Sequence, residues 1–429
     1  MGSVGESIIG LTYKPGDISL SGVPVLRSGN IKNNKLDLSD IVRVSCSINE
    51  NLFLIKNDIL VCVRNGSRRL VGKSLLLSNE LEKPSTFGAF MAVIRSPLNK
   101  FIKVFLDTQL FRDELFLTHQ ETVINQITQK NLSNALIPLP PIEEQKRIVE
   151  AIENFTNNIS SIDEEYSLIE EKISLTKSKL LDLAIRGKLL PQDANDEPAS
   201  VLLDRIRKEK DSATQATKGK RKNTDSYIFK GEDNLYYEKI GSETKCIQDE
   251  ITFEIPKTWT WARLGTVAIW NSGATPKRNN KNYYENGTIP WLKTGDLNDS
   301  YVECVSEYIT KKAFEETSIK LNKAGSILIA MYGATIGKIG ILNMDATTNQ
   351  ACCAAYCHKN LYNLYLFYFL LSQRKNFRKR GGGGAQLNIS KEKIVETLIP
   401  LPPINEQNRI VEYIFKANEQ LGSMLDERV

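Results

Sequence analysis

A chain of 429 residues is longer than one ordinary domain and implies two or three. Its composition, 41% hydrophobic and 25% charged, is that of a globular protein, and a formal charge of +5 is too mild to establish nucleic-acid binding by itself. Seven cysteines without a framework spacing fit a reducing cytoplasm. Met1–Gly10 lacks the pattern of a signal peptide, and no apolar stretch has the length of a membrane span, so neither secretion nor membrane insertion is expected.

In chain order, the first half opens at Ile8-Ile9-Gly10-Leu11-Thr12-Tyr13-Lys14 and reaches an extended run, Val23–Ile31. A strand is expected at Asp58–Val61, then a glycine-bearing basic turn, Gly66–Ser74, another strand, and an amphipathic helix near Lys100–Leu117. Pro138, Pro140 and Pro141 enforce an extended segment. Pro141 then suits the start of a helix, with Glu143 and Glu144 at the positive end of its dipole. A polyproline ligand is the alternative reading of this run, disfavoured by the strongly patterned helix behind it.

That helix carries apolar residues at Ile148, Ile152, Phe155, Ile159, Ile162, Tyr166, Ile169, Ile173, Leu180 and Leu183, a heptad seam interrupted only at Thr176. From Ile142 to Arg186 it would be about 67 Å long, and Gly187 supplies the stop. The chain then turns polar between Lys208 and Glu250, with a basic knot at Lys218–Lys222, and reads as a solvated linker. Beyond it come Trp259-Thr260-Trp261, a second strand at Ser326–Ile329 and a second helix at Tyr362–Arg380. Arg374, Lys375, Arg378, Lys379 and Arg380 crowd its end, ahead of the glycine run Gly381–Gly384. Each basic cluster alone also fits a plain solvated face.

One sentence occurs twice. Leu136–Ile152 reads LIPLPPIEEQKRIVEAI and Leu398–Ile414 reads LIPLPPINEQNRIVEYI, identical at fourteen of seventeen positions and offset by 262 residues. The echo extends backwards, pairing Val23–Ile31 with Ile289–Leu297 and Asp58–Val61 with Ser326–Ile329. This is a duplicated unit rather than a solenoid. The second copy restarts the seam at Ile410, Ile414, Ala417, Leu421 and Met424. An antiparallel intramolecular pairing of the two helices would bury both stripes; pairing between separate molecules is the alternative.

No catalytic constellation emerges. Gly66–Ser74 and Gly333–Lys338 have the wrong glycine spacing for a phosphate-binding loop, and two histidines, His119 and His358, leave little room for histidine chemistry. Cys352, Cys353, Cys357 and His358 invite a metal reading, yet zinc sites use separated ligand pairs, and Ala-Cys-Cys-Ala-Ala-Tyr-Cys reads better as a buried strand. No Gly-x-Ser-x-Gly elbow and no Asn-Pro-Pro-Tyr type of methyltransferase motif is present.

The repeated Leu-Pro-Pro-Ile-x-Glu-Gln-x-Arg-Ile motif with its seam resembles the conserved regions of type I restriction–modification specificity subunits. So do Leu183–Gln192 with Glu197-Pro198-Ala199, Trp259–Gly265, Ser272–Pro276 and Ile289–Leu297. The resemblance implies two α/β (α+β) target-recognition domains related by a pseudo-twofold repeat and separated by long helices in an antiparallel intramolecular coiled coil. It divides the chain into recognition domain 1–140, central helix region 141–209, polar linker 210–250, recognition domain 251–403 and distal helix 404–429. By the same resemblance the chain is not itself an enzyme: it reads the two halves of a split double-stranded DNA site. Two methyltransferase subunits dock on it, and restriction subunits add to the assembly. S-adenosylmethionine, ATP and magnesium belong to those partners. A coiled-coil scaffold that reads no DNA is the alternative. Candidate DNA contacts are basic or aromatic residues on turns: Lys14, Arg27, Arg64, Arg68, Arg69 and Lys73 in the first half, and Lys277, Arg278, Lys281, Lys293, Tyr332 and Lys338 in the second. The chain departs from the family pattern in two places. The first half lacks the Trp-x-Trp-x-x-Leu-Gly opening, and the distal seam spans under half of the proximal one.

Overall fold

The computed structural model describes residues 1–117, 126–216, 226–358, 361–381 and 388–426. The basic knot Lys218–Lys222, His119 and Gly382–Gly384 lie outside them. The chain divides into two units, Met1–Glu165 and Tyr166–Val429.

Unit 1 is built on an antiparallel sheet in the order β1-β7-β4-β5, from β1 (Glu6–Ile9), β4 (Ile59–Cys62), β5 (Ser74–Leu76) and β7 (Met91–Arg95). A smaller sheet holds β2 (Ile18–Leu26) between an antiparallel β3 (Val42–Val44) and a parallel β6 (Thr86–Phe87). The side-chain alternation of β4 explains the layering. Ile59, Val61 and Val63 pack against Ile102, Phe105 and Leu106 of helix α1 (Asn99–Leu106). Leu60 and Cys62 face Leu26, Ile31 and Phe87 on the other side. A strand covered on both faces is apolar throughout, which is why Ile59–Cys62 shows no polar alternation.

Helix α2 (Ile142–Ile185) begins where the prolines allow. Glu144 and Gln145 donate their backbone N–H groups to Pro141, and Gln145 Nε2 donates to the Pro140 carbonyl at 2.8 Å. At the far end Gly187 sits at φ +65°, with Lys188 N–H bonded to Leu183 O and Gly187 N–H to Ala184 O. This is a Schellman stop. A Cβ at Gly187 would also lie 2.4 Å from Pro256 Cγ, so glycine is required twice over.

Unit 2 repeats the plan. Helix α3 spans Ala199–Ala216, and β8 (Ser226–Lys230), β9 (Tyr236–Ile240) and β10 (Glu243–Cys246) form an antiparallel sheet. β11 (Thr260–Arg263) pairs with a late strand described below. The main sheet uses β12 (Ala268–Ser272), β16 (Ile327–Ala330), β17 (Ile339–Leu342) and β19 (Cys352–Cys357) in the order β12-β19-β16-β17, with β14 (Tyr301–Val302) added beside β17. Its small sheet places β13 (Ile289–Leu292) between β15 (Tyr308–Ile309) and the parallel β18 (Thr347–Thr348). Ile327 and Ile329 pack with helix α4 (Asn363–Ser372), whereas Leu328 and Ala330 face Leu292 and Leu297. β20 (Leu398–Leu401) leads into α5 (Ile404–Asp426).

Three expectations change. The stretch read as a linker carries the end of α3 and the β8–β10 sheet, where Tyr227, Phe229 and Tyr237 stack into an aromatic row, with ring centroids 5.5 and 5.9 Å apart, that its charged composition conceals. Each amphipathic helix before a signature is two shorter ones, broken near Asp107-Thr108 and at Gln373. The seam is buried only in part. Ile152, Phe155, Ile159, Ile162 and Ile169 are exposed, and Ile148 and Tyr166 half-exposed. Ile173 is buried but Leu175 is exposed, and in unit 2 the half-buried Leu180 and the buried Ala184 and Ile185 share one core with Ile410, Val411 and Ile414 of α5; Leu421 is half-buried. With 23 residues against 44, α5 is too short to match the stripe of α2 along its length.

Candidate nucleic-acid interface

In both units the same strand ends deliver the same two loops. β2 runs into a 3-10 turn, Ser28–Asn30, whose Asn30 Oδ1 accepts the Arg27 N–H at 2.9 Å; β13 runs into Thr294–Asp296, whose Asp296 Oδ2 accepts the Lys293 N–H at 2.8 Å. Arg27 and Lys293 are therefore counterparts, fixed at the mouth of a turn. The second loop follows β4 or β16. Arg64 forms a lone bridge with Gln126, and Tyr332 does so with Asn388. Gly72 and Gly337 close the two hairpins at φ +85° and +76°, each donating to the strand before it (Cys62 O and Ala330 O). Lys73 and Lys338 come next. The two glycine-bearing segments are hairpin turns.

In unit 1 the loops touch. Asn65 Nδ2 donates to Ser28 Oγ at 3.0 Å, and the Lys73 ammonium reaches the Ile31 carbonyl. Arg64 lies over the Phe90 ring at 5.0 Å, and Arg27 faces the exposed Asp40 at 3.5 Å. Arg68 and Arg69 occupy an exposed 3-10 turn, Arg68–Leu70. Lys14, also exposed, opens a separate turn, Pro15–Asp17.

In unit 2 a carboxylate gathers the cations. Glu307 accepts from Arg278 Nη1 at 2.5 Å and from Lys293 Nζ at 2.5 Å. The Arg278 guanidinium, followed by the Lys293 ammonium, holds the Glu307 carboxyl below its usual range. Arg278 lies over both Trp291, 4.6 Å from its guanidinium carbon, and Tyr284, at 4.9 Å, in the corner their edge contact makes. A guanidinium on aromatic faces is pre-positioned while half its surface stays open. Lys277 and Lys281 are exposed nearby in sequence, the latter 3.8 Å from Glu285. Sequence reasoning named the cations but not Glu307, Tyr284, Trp291, Ser28 or Asn65, which set their positions.

The basic helix end behaves differently. Arg374 bonds the Gly337 carbonyl and Asp299, Arg378 the Ile336 carbonyl, and Arg380 the Thr397 hydroxyl. These side chains brace the β16–β17 hairpin and the approach to β20. Cys352 and Cys353 are buried on β19, and burial pushes the Cys353 and Cys357 thiols up to about 12, so all three pack as protonated thiols at neutral pH. Among the described residues no helix is long and apolar enough to cross a membrane.

Exchanging Glu307 for Gln should release two cations for phosphate contact. Non-specific DNA affinity at low salt should rise, with the slope of log K against log salt steeper by up to about 0.9 for each phosphate gained. An unchanged slope would place Arg278 and Lys293 away from DNA. Binding titrations at several salt concentrations read this out.

Two sheet-and-helix units that place a basic residue on the same strand-to-turn junction define an internally duplicated α/β protein. The type I restriction modification DNA specificity domain matches residues 2–171 and 256–423, and the chain belongs to that family. It is 32% identical over 171 residues to the specificity subunit of the Escherichia coli type I restriction enzyme EcoR124I/EcoR124II, a match covering 39% of this chain and 42% of that protein. The first relatives are thus matched over about two-fifths of their length. A putative MjaX specificity subunit of Methanocaldococcus jannaschii aligns over 94% of this chain and 82% of its own length at 23% identity. Among solved structures, the HsdS subunit from Thermoanaerobacter tengcongensis shares the fold with TM-score 0.55 and 17% identity, covering 100% of this chain and 90% of that one. A chain from a type I R-M system assembly does so with TM-score 0.61 and 16% identity, over 99% and 92%.

Proposed function

We propose that this chain is the DNA-reading, non-catalytic component of a type I restriction–modification enzyme. Unit 1 reads one half of a split site and unit 2 the other. α2 and α5 set the gap and carry the docking surface for two methyltransferase subunits, which with any restriction subunits supply S-adenosylmethionine, ATP and magnesium chemistry. The observation that carries this reading is the counterpart pair Arg27 and Lys293, each held by the side chain three residues on at the same junction. Basic side chains at fixed positions suit phosphate and guanine contacts, whereas the loops around them differ, as readers of two sequences require. A scaffold would have no need for that repetition.

Co-expression with a methyltransferase subunit, followed by sequencing for methylated adenines, tests it. A recurrent two-part motif with one fixed gap is expected. Random or absent methylation from a stable complex would overturn the reading.

A further inference from the structure

Arg27 and Lys293 recur at one junction, so whatever they contact is a feature common to both half-sites. A residue that tells one half-site from the other has to differ between the units. Arg278 meets that requirement. It lies on Trp291, and the echo of Val23–Ile31 in Ile289–Leu297 puts Val25, which offers no ring to a guanidinium, at the same place in unit 1.

The arginine is held from three directions. The buried Trp291 donates its indole N–H to the Ala274 carbonyl at 3.1 Å, and the Tyr284 hydroxyl donates to the Pro276 carbonyl at 2.7 Å. Both rings are thereby tied to the segment that leads into Arg278. Glu307 supplies the third restraint, with one carboxylate oxygen on Arg278 Nη1 and the other on Lys293 Nζ. Among the described residues Nε and Nη2 of Arg278 have no hydrogen-bond partner, and its side chain is 52% exposed.

That free edge is a planar pair of N–H donors. Guanine shows two neighbouring acceptors, O6 and N7, in the major groove, and no other base shows two there. Ordering the side chain before DNA arrives lowers the entropy cost of the contact. It also keeps the fork from turning to the nearest phosphate.

We propose that Arg278 is a specificity-determining residue of unit 2, whose Nε–Nη2 edge reads one guanine of that unit's half-site. Glu307, Trp291 and Tyr284 are its positioning residues. The assignment rests on the DNA-reading role proposed above.

The test uses the full chain in complex with a methyltransferase subunit. Randomised duplex DNA is selected on the complex, and affinity is then titrated on the selected site and on each single base-pair exchange. The wild-type consensus should contain a G·C pair that is preferred by about fivefold to a hundredfold. Arg278→Lys keeps the charge and loses the fork, so this preference should fall to about twofold or less while every other position keeps its own. Glu307→Gln should lower the same preference even as non-specific affinity rises. Preference at the other half-site, retained in the same complexes, shows that the variants are folded. A consensus that Arg278→Lys leaves unchanged, or weakens evenly at all positions as loss of a phosphate contact would, overturns the assignment and leaves the DNA-reading role standing. Absence of any consensus from the wild-type complex overturns that role, and this assignment with it.

Discussion

Removing one heptad from α2, Ile159–Glu165, is expected to abolish methylation of the natural split site while leaving the bases of both half-sites unchanged. All residues from 151 to 165 are exposed, so the deletion removes no core side chain. A whole heptad also preserves the seam's register to within about 20° of rotation. What changes is length: about 10 Å of helix rise disappears, equivalent to roughly three base pairs at 3.4 Å each. Two linked readers whose geometry forbids simultaneous engagement lose an avidity of about 10²–10⁴. Methylation at the natural gap should fall by that order, and a site with a gap shortened by up to about three base pairs should become the preferred one. Methylome sequencing of cells carrying the deleted chain with its methyltransferase reads both. Altered half-site bases at a constant gap would refute the spacer role of α2.

Much of this arrangement was legible in the text because it rests on local rules. The repeat, the proline-bounded helix start and Gly187 are short-range signals, and each appears where the sequence put it. The strand echoes around Val23 and Ile289 were legible for the same reason: one pattern, written twice, resolves an ambiguity that either copy alone would leave. Partners distant in sequence were not. Glu307 lies 29 residues from Arg278 and 14 from Lys293, and only the β13–β15 pairing makes them neighbours. The basic helix end misled for a related reason, since hydrogen bonds from Arg374 and Arg378 to hairpin carbonyls follow from tertiary packing and not from composition. Nor could identical Leu-Ile-Pro-Leu text reveal that Leu401 is buried while Leu139 is exposed. Burial belongs to the partner strand as much as to the residues themselves.

Arg263→Ala should strongly destabilise unit 2. Arg263 Nε and Nη2 donate to Glu238 at 3.1 and 2.6 Å, and Nη1 donates both to Glu250 at 2.6 Å and to the Glu396 carbonyl at 2.6 Å. One side chain thus ties the β8–β10 sheet to the strand before α5. The Glu238 side chain is only 7% exposed. Burial works to raise its carboxyl, but the hydrogen bonds from Arg263, with Ser226 assisting, outweigh burial and leave it below the usual range. Removing the arginine strands a buried carboxylate, a loss of about 3–5 kcal/mol, or a fall in melting temperature on the order of 10 °C for a unit of this size. The pH dependence should reverse as well. In the native chain the depressed Glu238 contributes stability that is present above pH 4.5 and lost as pH falls through its lowered value. In the variant burial is opposed only by the Ser226 hydrogen bond and the Lys245 charge, so the carboxyl is expected to rise, and the penalty is full at neutral pH and shrinks as acid protonates Glu238. Thermal melts from pH 7.5 down to about 4.5 should therefore converge for the two proteins. Adding Glu238→Gln to Arg263→Ala should recover a large part of the loss at neutral pH, since a neutral amide costs far less to bury than an unpaired carboxylate. Parallel melting curves at every pH, or no recovery in the double variant, would show that Arg263 acts through its bonds to Glu250 and Glu396 instead.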